Sequence, residues 1–367
     1  MRVLITGAAG FIGATLARLL LREGCEVVGV DDHNAYYDPA LKAAREAQLL
    51  ASPNYLSIRA KIETPGLLRD LFAANKPDVV VHLAAQAGVR HSITHPETYL
   101  ASNLQGSYEL LEAARAHPPR HMLMASSSSV YGGNAQMPYR ETDKTDLPLS
   151  FYAATKKSNE MMAHSYAGLF ALPITMFRFF TVYGPWGRPD MAPHLFTSAL
   201  FEGRAIKLFN HGHMMRDFTF VDDLVASIRA LMDAVPPAPN AASRGPAAEF
   251  DSLSPCAPWR VVNIGNGQPV PLMGFVRALE AASGREALFE MLPMQPGDVE
   301  ATWADTTLLG HLTGTVNRTD IREGAARYVG WFRDYYAQDK AMTPVWQPAH
   351  QAAIRNPPSR DWQRPLS

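Results

Sequence analysis

Two cysteines in 367 residues, Cys25 and Cys256, leave no disulfide framework, and neither has the spacing of a metal site or a redox pair. An excess of either charge is missing as well. The net charge is -1, which excludes a general electrostatic attraction to nucleic acid or anionic membrane. No uninterrupted apolar run is long enough to cross a bilayer. The first residues enter a strand-and-turn pattern at once, with no leader-like segment before them, so a cytoplasmic protein is expected. No internal repeat is found. What is present, 47% hydrophobic and 19% charged residues, suits a globular chain of one large or two closely joined domains.

Val3 to Ile5 reads as a short apolar strand. GAAGFIG follows at residues 7–13, and then an apolar helix from Ala14 to Arg22. Strand, glycine turn and helix in that order open a dinucleotide-binding unit. Gly7 permits the tight turn, Gly10 lets the backbone approach a pyrophosphate, and Gly13 allows close helix–strand packing; Phe11 and Ile12 share that turn. A second strand, Cys25 to Val30, ends at Asp31 and Asp32, with Asp31 placed 18 residues after Gly13. An acidic residue there accepts from the adenosine ribose and repels a 2′-phosphate, which favours NAD over NADP. Asn34 continues that edge. The fourth strand, Pro77 to His82, runs into Leu83, Ala84 and Ala85, where small residues let the chain pass close to a flat ligand.

Strands at Tyr55 to Ile58, His121 to Ala125 and Ile174 to Phe179 alternate with helices at Leu41 to Leu50, Leu67 to Ala74 and Tyr99 to Ala116. A further helix runs from Tyr152 to Phe170. The expected class is α/β: a doubly wound, Rossmann-type parallel sheet. A smaller, discontinuous α+β domain that binds substrate follows it. We assign residues 1–180 to the cofactor domain, with returning segments near 217–233 and 260–265. Residues 181–216 and 266–340 form the substrate domain. Residues 234–258, rich in Pro, Ala and Ser, read as a flexible insertion, and 341–367 as a poorly ordered tail.

Tyr152 and Lys156 are four residues apart and share a helix face. A phenol with a pKa near ~10 is a poor base at neutral pH, and a neighbouring ammonium favours its phenolate. Such a pair can take a proton from an alcohol while a hydride leaves the same carbon. His211, His213, Met214 and Met215 lie together without a carboxylate or thiolate at ligand spacing, so no metal is expected.

The glycine turn, the strand-end serine and Tyr-x-x-x-Lys together resemble the extended short-chain dehydrogenase/reductase superfamily. HLAAQAGVRHS (82–92), ASSSSVYGGN (125–134), RFFTVYGPWGRPDMA (178–192), RDFTFVDD (216–223), VNIGNGQPVPLM (262–273) and MQPGDVEATWAD (294–305) narrow the likeness to the UDP-glucuronate 4-epimerases. The resemblance spans roughly residues 1 to 340. It implies NAD, a UDP-sugar substrate and a homodimer through the 99–116 and 152–170 helices. Tyr152 would be the acid/base and Lys156 would hold the nicotinamide ribose. Ser127 would bond the reacting oxygen, with Ser128 or Ser129 as partial substitutes. Ser129 stands where related dehydratases and decarboxylases carry an acid. Thr181 and Arg188 would face the substrate carboxylate, although Arg188 could instead pair with Asp190. Arg216 would hold the diphosphate, Phe209 the uracil and Asp298 the uridine ribose. Ala60 and Lys61 replace an aspartate that contacts adenine in many relatives. Epimerisation of a neutral UDP-hexose, or NAD and nucleotide-sugar binding without turnover, are the alternatives.

Overall fold

The computed structural model describes residues 1–239, 250–294, 299–314 and 318–337. Seven strands form one parallel sheet: β1 (Arg2–Thr6), β2 (Glu26–Asp31), β3 (Tyr55–Arg59), β4 (Val79–His82), β5 (His121–Ala125), β6 (Ile174–Phe179) and β10 (Trp259–Ile264). Their spatial order is β3-β2-β1-β4-β5-β6-β10. The order reverses between β1 and β4, whose registers pair Val3 with Val79 on one side while Val3 pairs with Val27 on the other. A doubly wound sheet opens its ligand crevice at such a reversal.

Helices α1 (Phe11–Arg22), α2 (Pro39–Leu50), α3 (Leu67–Asn75), α6 (Gly106–Ala116), α7 (Phe151–Phe170) and α9 (Val221–Leu231) cover the sheet; α4 (His91–Thr94) and α5 (Pro96–Tyr99) are single turns. Successive side chains of a strand point to opposite faces. Val3 and Ile5 therefore pack with Leu16, Leu20, Leu224 and Ile228. Leu4 and Val80 pack on the other side with Leu110, Leu111 and Met176. Burial on both faces is what a parallel sheet demands of its strands.

The remaining elements build a smaller unit: β7 (Thr181–Tyr183), α8 (Ala192–Glu202), β8 (Ala205–Leu208), β9 (Met215–Phe220), β11 (Pro269–Pro271), α10 (Leu272–Ser283), β12 (Leu288–Met291), β13 (Ala301–Thr302) and α12 (Ile321–Ala337), while α11 (Thr307–Thr313) returns to the large sheet and packs Leu308 and Leu309 into its core. The core of the smaller unit gathers Tyr183, Phe218, Phe220, Phe275, Tyr328 and Phe332.

Two segments differ from the reading of the sequence. The helix expected from Tyr99 to Ala116 carries a π-helical turn at Leu100–Gln105 before α6. Asn103 sits in that turn, buried. It accepts from Gln86 N at 2.8 Å and donates to Gln86 O at 3.1 Å and to Thr155 Oγ1 at 3.0 Å. Those bonds lead away from the helix, and a widened turn lets the side chain reach them. The second segment lies in the insertion. Its residues 240–249 are outside the described residues, but 250–258 are fastened to β10. Asp251 accepts two bonds from Arg260, at 2.8 and 2.9 Å, and Phe250 stacks on His311 at 4.5 Å. The 341–367 tail lies outside the described residues.

Candidate active site

A cleft of about 400 Å³ opens at the carboxyl ends of the strands, bounded by the glycine turn, the β5 serines, the start of α7 and the loop after β7. Gly7, with φ of 75°, would place a Cβ only 2.7 Å from Ala84 N, and a Cβ on Gly13 would overlap the Gly7 carbonyl oxygen. Glycine thus lets β1, β4 and α1 converge and leaves backbone bare at the N-terminus of α1, where an anion is stabilised.

Ser150 fixes the start of α7: its hydroxyl accepts from Ala153 N at 3.1 Å. That cap sets Tyr152 at the cleft, with its ring edge-on to Tyr99 at 6.0 Å. Burial pushes the Tyr152 phenol above its ordinary range, while a hydrogen bond with Ser127 and the nearby Arg188 guanidinium draw it down. Ser127 is itself held, since its hydroxyl accepts from Ser129 N at 3.2 Å. Lys156 lies one turn along from Tyr152 and is buried. Its ammonium donates to Ala125 O at 2.8 Å, and burial lowers its pKa to about 8. Ser127 and Arg188 both favour the phenolate, and the Lys156 ammonium is directed to the end of β5. Below them, Ser126 donates to Glu160 at 2.7 Å, and Glu160 takes two bonds from buried Arg178. This ion pair joins β5 and β6 to α7 under the serines.

The cofactor residues expected from the sequence come together. Gly7, Gly10, Phe11, Ile12, Gly13, Asp31, Asp32, Asn34, Leu83, Ala84, Ala85 and Lys156 all line the cleft. Asp31 is wrapped by Ala9 N at 3.1 Å, His33 N at 2.9 Å and Lys42 Nζ at 3.1 Å, and its neighbour Asp32 is the more exposed of the two. Lys42 lines the cleft and escaped the sequence reading; a basic residue on the next helix carries no local signal of its partner. Glu63 escaped too. It lines the cleft beside Ala60 and Ile62.

Thr181, Arg188, Ser127, Ser128 and Ser129 share the same cleft. The alternative partner of Arg188 is also real: its Nε donates to Asp190 Oδ1 at 3.0 Å and its Nη2 to Oδ2. Arg188 therefore reaches the cleft as one half of a bidentate pair, which holds the Asp190 carboxyl low. Phe209 and Arg216 do not line the cleft. Phe209 lies under the Arg90 guanidinium at 4.7 Å, one residue beyond cleft-lining Val89. Arg216 donates to Val299 O at 2.7 Å and Glu300 O at 3.0 Å, in the segment that follows Asp298. Asp298 is outside the described residues. Among the described residues no group of three or more His, Cys, Asp or Glu is placed to hold a metal ion. None of the described helices is long and apolar enough to cross a membrane.

A family model described as the NAD dependent epimerase/dehydratase family matches residues 3–241. The chain belongs to that family. A Rhizobium meliloti (strain 1021) protein named probable UDP-glucuronate 4-epimerase is 49% identical over 336 residues, spanning 92% of this chain and 98% of its own length. The structure of a UDP-glucuronic acid 4-epimerase from Bacillus cereus, in complex with UDP-glucuronic acid and NAD, is similar with a TM-score of 0.80. It is 31% identical and covers 92% of this chain and 100% of that one. A UDP-glucose 4-epimerase from Thermotoga maritima, with UDP-glucose, is similar at TM-score 0.77 and 26% identity, over 92% and 100%. The family's cofactor is NAD, and the residues here fit it. The bare glycine turn suits a pyrophosphate, the acids at the end of β2 suit an unphosphorylated ribose, and Lys156 and Tyr152 line the same cleft.

Proposed function

We propose that the protein interconverts UDP-glucuronate and UDP-galacturonate by epimerisation at C4. The observation that carries this reading is the placing of Thr181 and Arg188 in the same cleft as the Tyr152 phenol. An arginine cation and a hydroxyl in the cleft of the acid/base suit a sugar that bears a carboxylate. They have no evident task on a neutral hexose. Tyr152 takes the 4-hydroxyl proton as phenolate, with Ser127 bonding the reacting oxygen, and later returns it to the other face. NAD, when bound, accepts the C4 hydride and gives it back, so the reaction has no net redox change. Lys156 holds the nicotinamide ribose. Arg216, Phe209 and Asp298 anchor the UDP while the 4-keto sugar turns. Ser129, standing where an acid would be, leaves elimination without its proton shuttle. The 4-keto intermediate is a β-keto acid, and Thr181 and Arg188 keep its carboxylate from aligning with the ketone.

In the same proposal the enzyme is cytoplasmic, works as a homodimer and feeds polysaccharide synthesis. The dimer face would be the outer side of α6 and α7, where Tyr108, Met161 and Leu169 are exposed. Proton NMR of UDP-glucuronate incubated with the purified protein tests the reaction. UDP-galacturonate without added NAD is the expected product. No change, even with NAD supplied, would turn the reading to a neutral UDP-hexose or to binding without turnover. A UDP-pentose would refute the roles given to Ser129 and Arg188.

A further inference from the structure

Arg45 is 2% exposed and takes no part in the chemistry above. It stands on α2, yet its partners are far along the chain. Its Nε and Nη2 donate to Trp186 O at 3.1 and 2.6 Å, and Nη2 also reaches Gly187 O at 3.4 Å. Its Nη1 donates to Ala9 O at 3.3 Å and to the Tyr37 hydroxyl at 2.7 Å. One guanidinium therefore ties the glycine turn to the loop that carries Arg188. Only a planar fork with five N–H groups spans carbonyls so separated; an ammonium concentrates its donors on one atom.

The loop needs such a tie. Trp186 has φ of 66°, a left-handed conformation that a bulky residue keeps only where its surroundings enforce it. Its ring is held by Trp331 at 5.4 Å and Tyr335 at 5.0 Å, both on α12, and its carbonyl by Arg45. A second tie comes from the same β2–α2 segment. The Tyr36 hydroxyl donates to Asp190 Oδ2 at 3.1 Å, and Asp190 in turn grips Arg188.

We infer that Arg45 and Tyr36 are positioning residues that lock the 184–191 loop against the cofactor turn, and so fix where Arg188 holds the substrate carboxylate. The inference rests on the glucuronate reading. If the loop slackens, the carboxylate of the 4-keto intermediate can rotate into line with the ketone. The bond from C5 to the carboxylate carbon then breaks, its electron pair passes to the ketone oxygen as an enolate, and carbon dioxide leaves. Protonation at C5 gives a UDP-4-keto-pentose. The hydride taken from C4 is not returned to this product, so each UDP-4-keto-pentose released consumes one NAD, which the assay supplies in excess.

Arg45→Lys and Tyr36→Phe test this with three readouts. Hydrogen exchange of the 184–191 backbone should quicken by about tenfold in Arg45→Lys, and less in Tyr36→Phe, with α7 unchanged. The KM for UDP-glucuronate should rise about tenfold in Arg45→Lys while kcat falls by less. UDP-4-keto-pentose should appear beside UDP-galacturonate in the NMR of both variants. Unaltered loop exchange and clean epimerisation in both would overturn the inference. So would protection lost evenly over the whole chain in Arg45→Lys together with wild-type behaviour in Tyr36→Phe, which would mark Arg45 as a general prop. If the wild-type protein leaves UDP-glucuronate untouched while loop exchange responds as expected, the glucuronate reading and the carboxylate role fall. The tie between turn and loop would then stand on its own.

Discussion

Removing the Ser127 hydroxyl takes away a hydrogen bond that draws the Tyr152 phenol down. The phenol would then ionise at a higher pH, so the limb of the kcat/KM profile governed by the base should move to higher pH in Ser127→Ala. A hydrogen bond to a charged oxygen is worth about 1.5–3 kcal/mol, so the rate at pH 7 should drop roughly 10- to 100-fold. Tyr152→Phe loses the base itself and should drop about 10²–10⁴-fold across the whole profile, with no limb to move. Lys156 carries a different signature. Its pKa falls from 10.5 to about 8 on burial. Between those values the unfolded chain binds the proton and the folded chain does not, so stability rises with pH over that window. Lys156→Met should abolish turnover, raise Tm at pH 7, and flatten the rise between pH 8 and 10.5 in thermal scans. The motif residues were legible because Ser127, Tyr152 and Lys156 each lie in a contiguous pattern. Lys42, Glu63 and Arg45 were not. The partners of Arg45 lie up to 142 positions away, and one sequence gives no sign of such pairing.

Strand and helix types were legible for a related reason. Doubly buried strands and amphipathic helices have different periods, and the glycine turn and the Ser150 cap mark where they meet. The π-helical turn was hidden because its cause is lateral: Asn103 bonds to Gln86 on one neighbour and Thr155 on another. Asn103→Ala leaves the buried Gln86 N–H and carbonyl without that amide. A loss of about 1–3 kcal/mol in denaturant unfolding is expected, since each deserted buried group costs that much. If the turn only accommodates chain length, stability will not change. Glu141 offers an opposite case between elements. It accepts from Asn263 N of β10 at 2.8 Å, and burial raises its pKa to about 7. The folded chain then holds a proton that the unfolded chain releases above pH 4.5, so stability falls between pH 4.5 and about 7 and the cost stays constant above that. Glu141→Gln keeps the acceptor and drops the charge. It should raise Tm at pH 8 and change it little at pH 4, and equal shifts at both values would exclude a titration effect.

At the scale of the molecule, α7 has two faces with separate tasks. One side sets Tyr152 and Lys156 into the cleft and buries Glu160 beneath the serines. The other carries Met161, 47% exposed, and Leu169, 73% exposed, eight positions apart and so on one stripe. Tyr108 on α6 adds to it at 45% exposure, and Tyr166 ties the two helices through its hydroxyl to Glu112 at 2.6 Å. Two antiparallel copies of this helix pair would cover the stripe by a twofold axis, with each copy offering the same patch. If the proposed dimer forms through this stripe, the parent should sediment as a dimer and the double variant Met161→Arg, Leu169→Arg as a monomer at the same concentration. Because α7 anchors the acid/base from its inner side, the monomer should also unfold at a lower temperature while keeping the Tyr152 environment, and hence the pH limb, of the parent. A dimer that survives both arginines would move the interface to another surface. A monomer whose pH limb shifts would mean that the partner helps to hold Tyr152 in place.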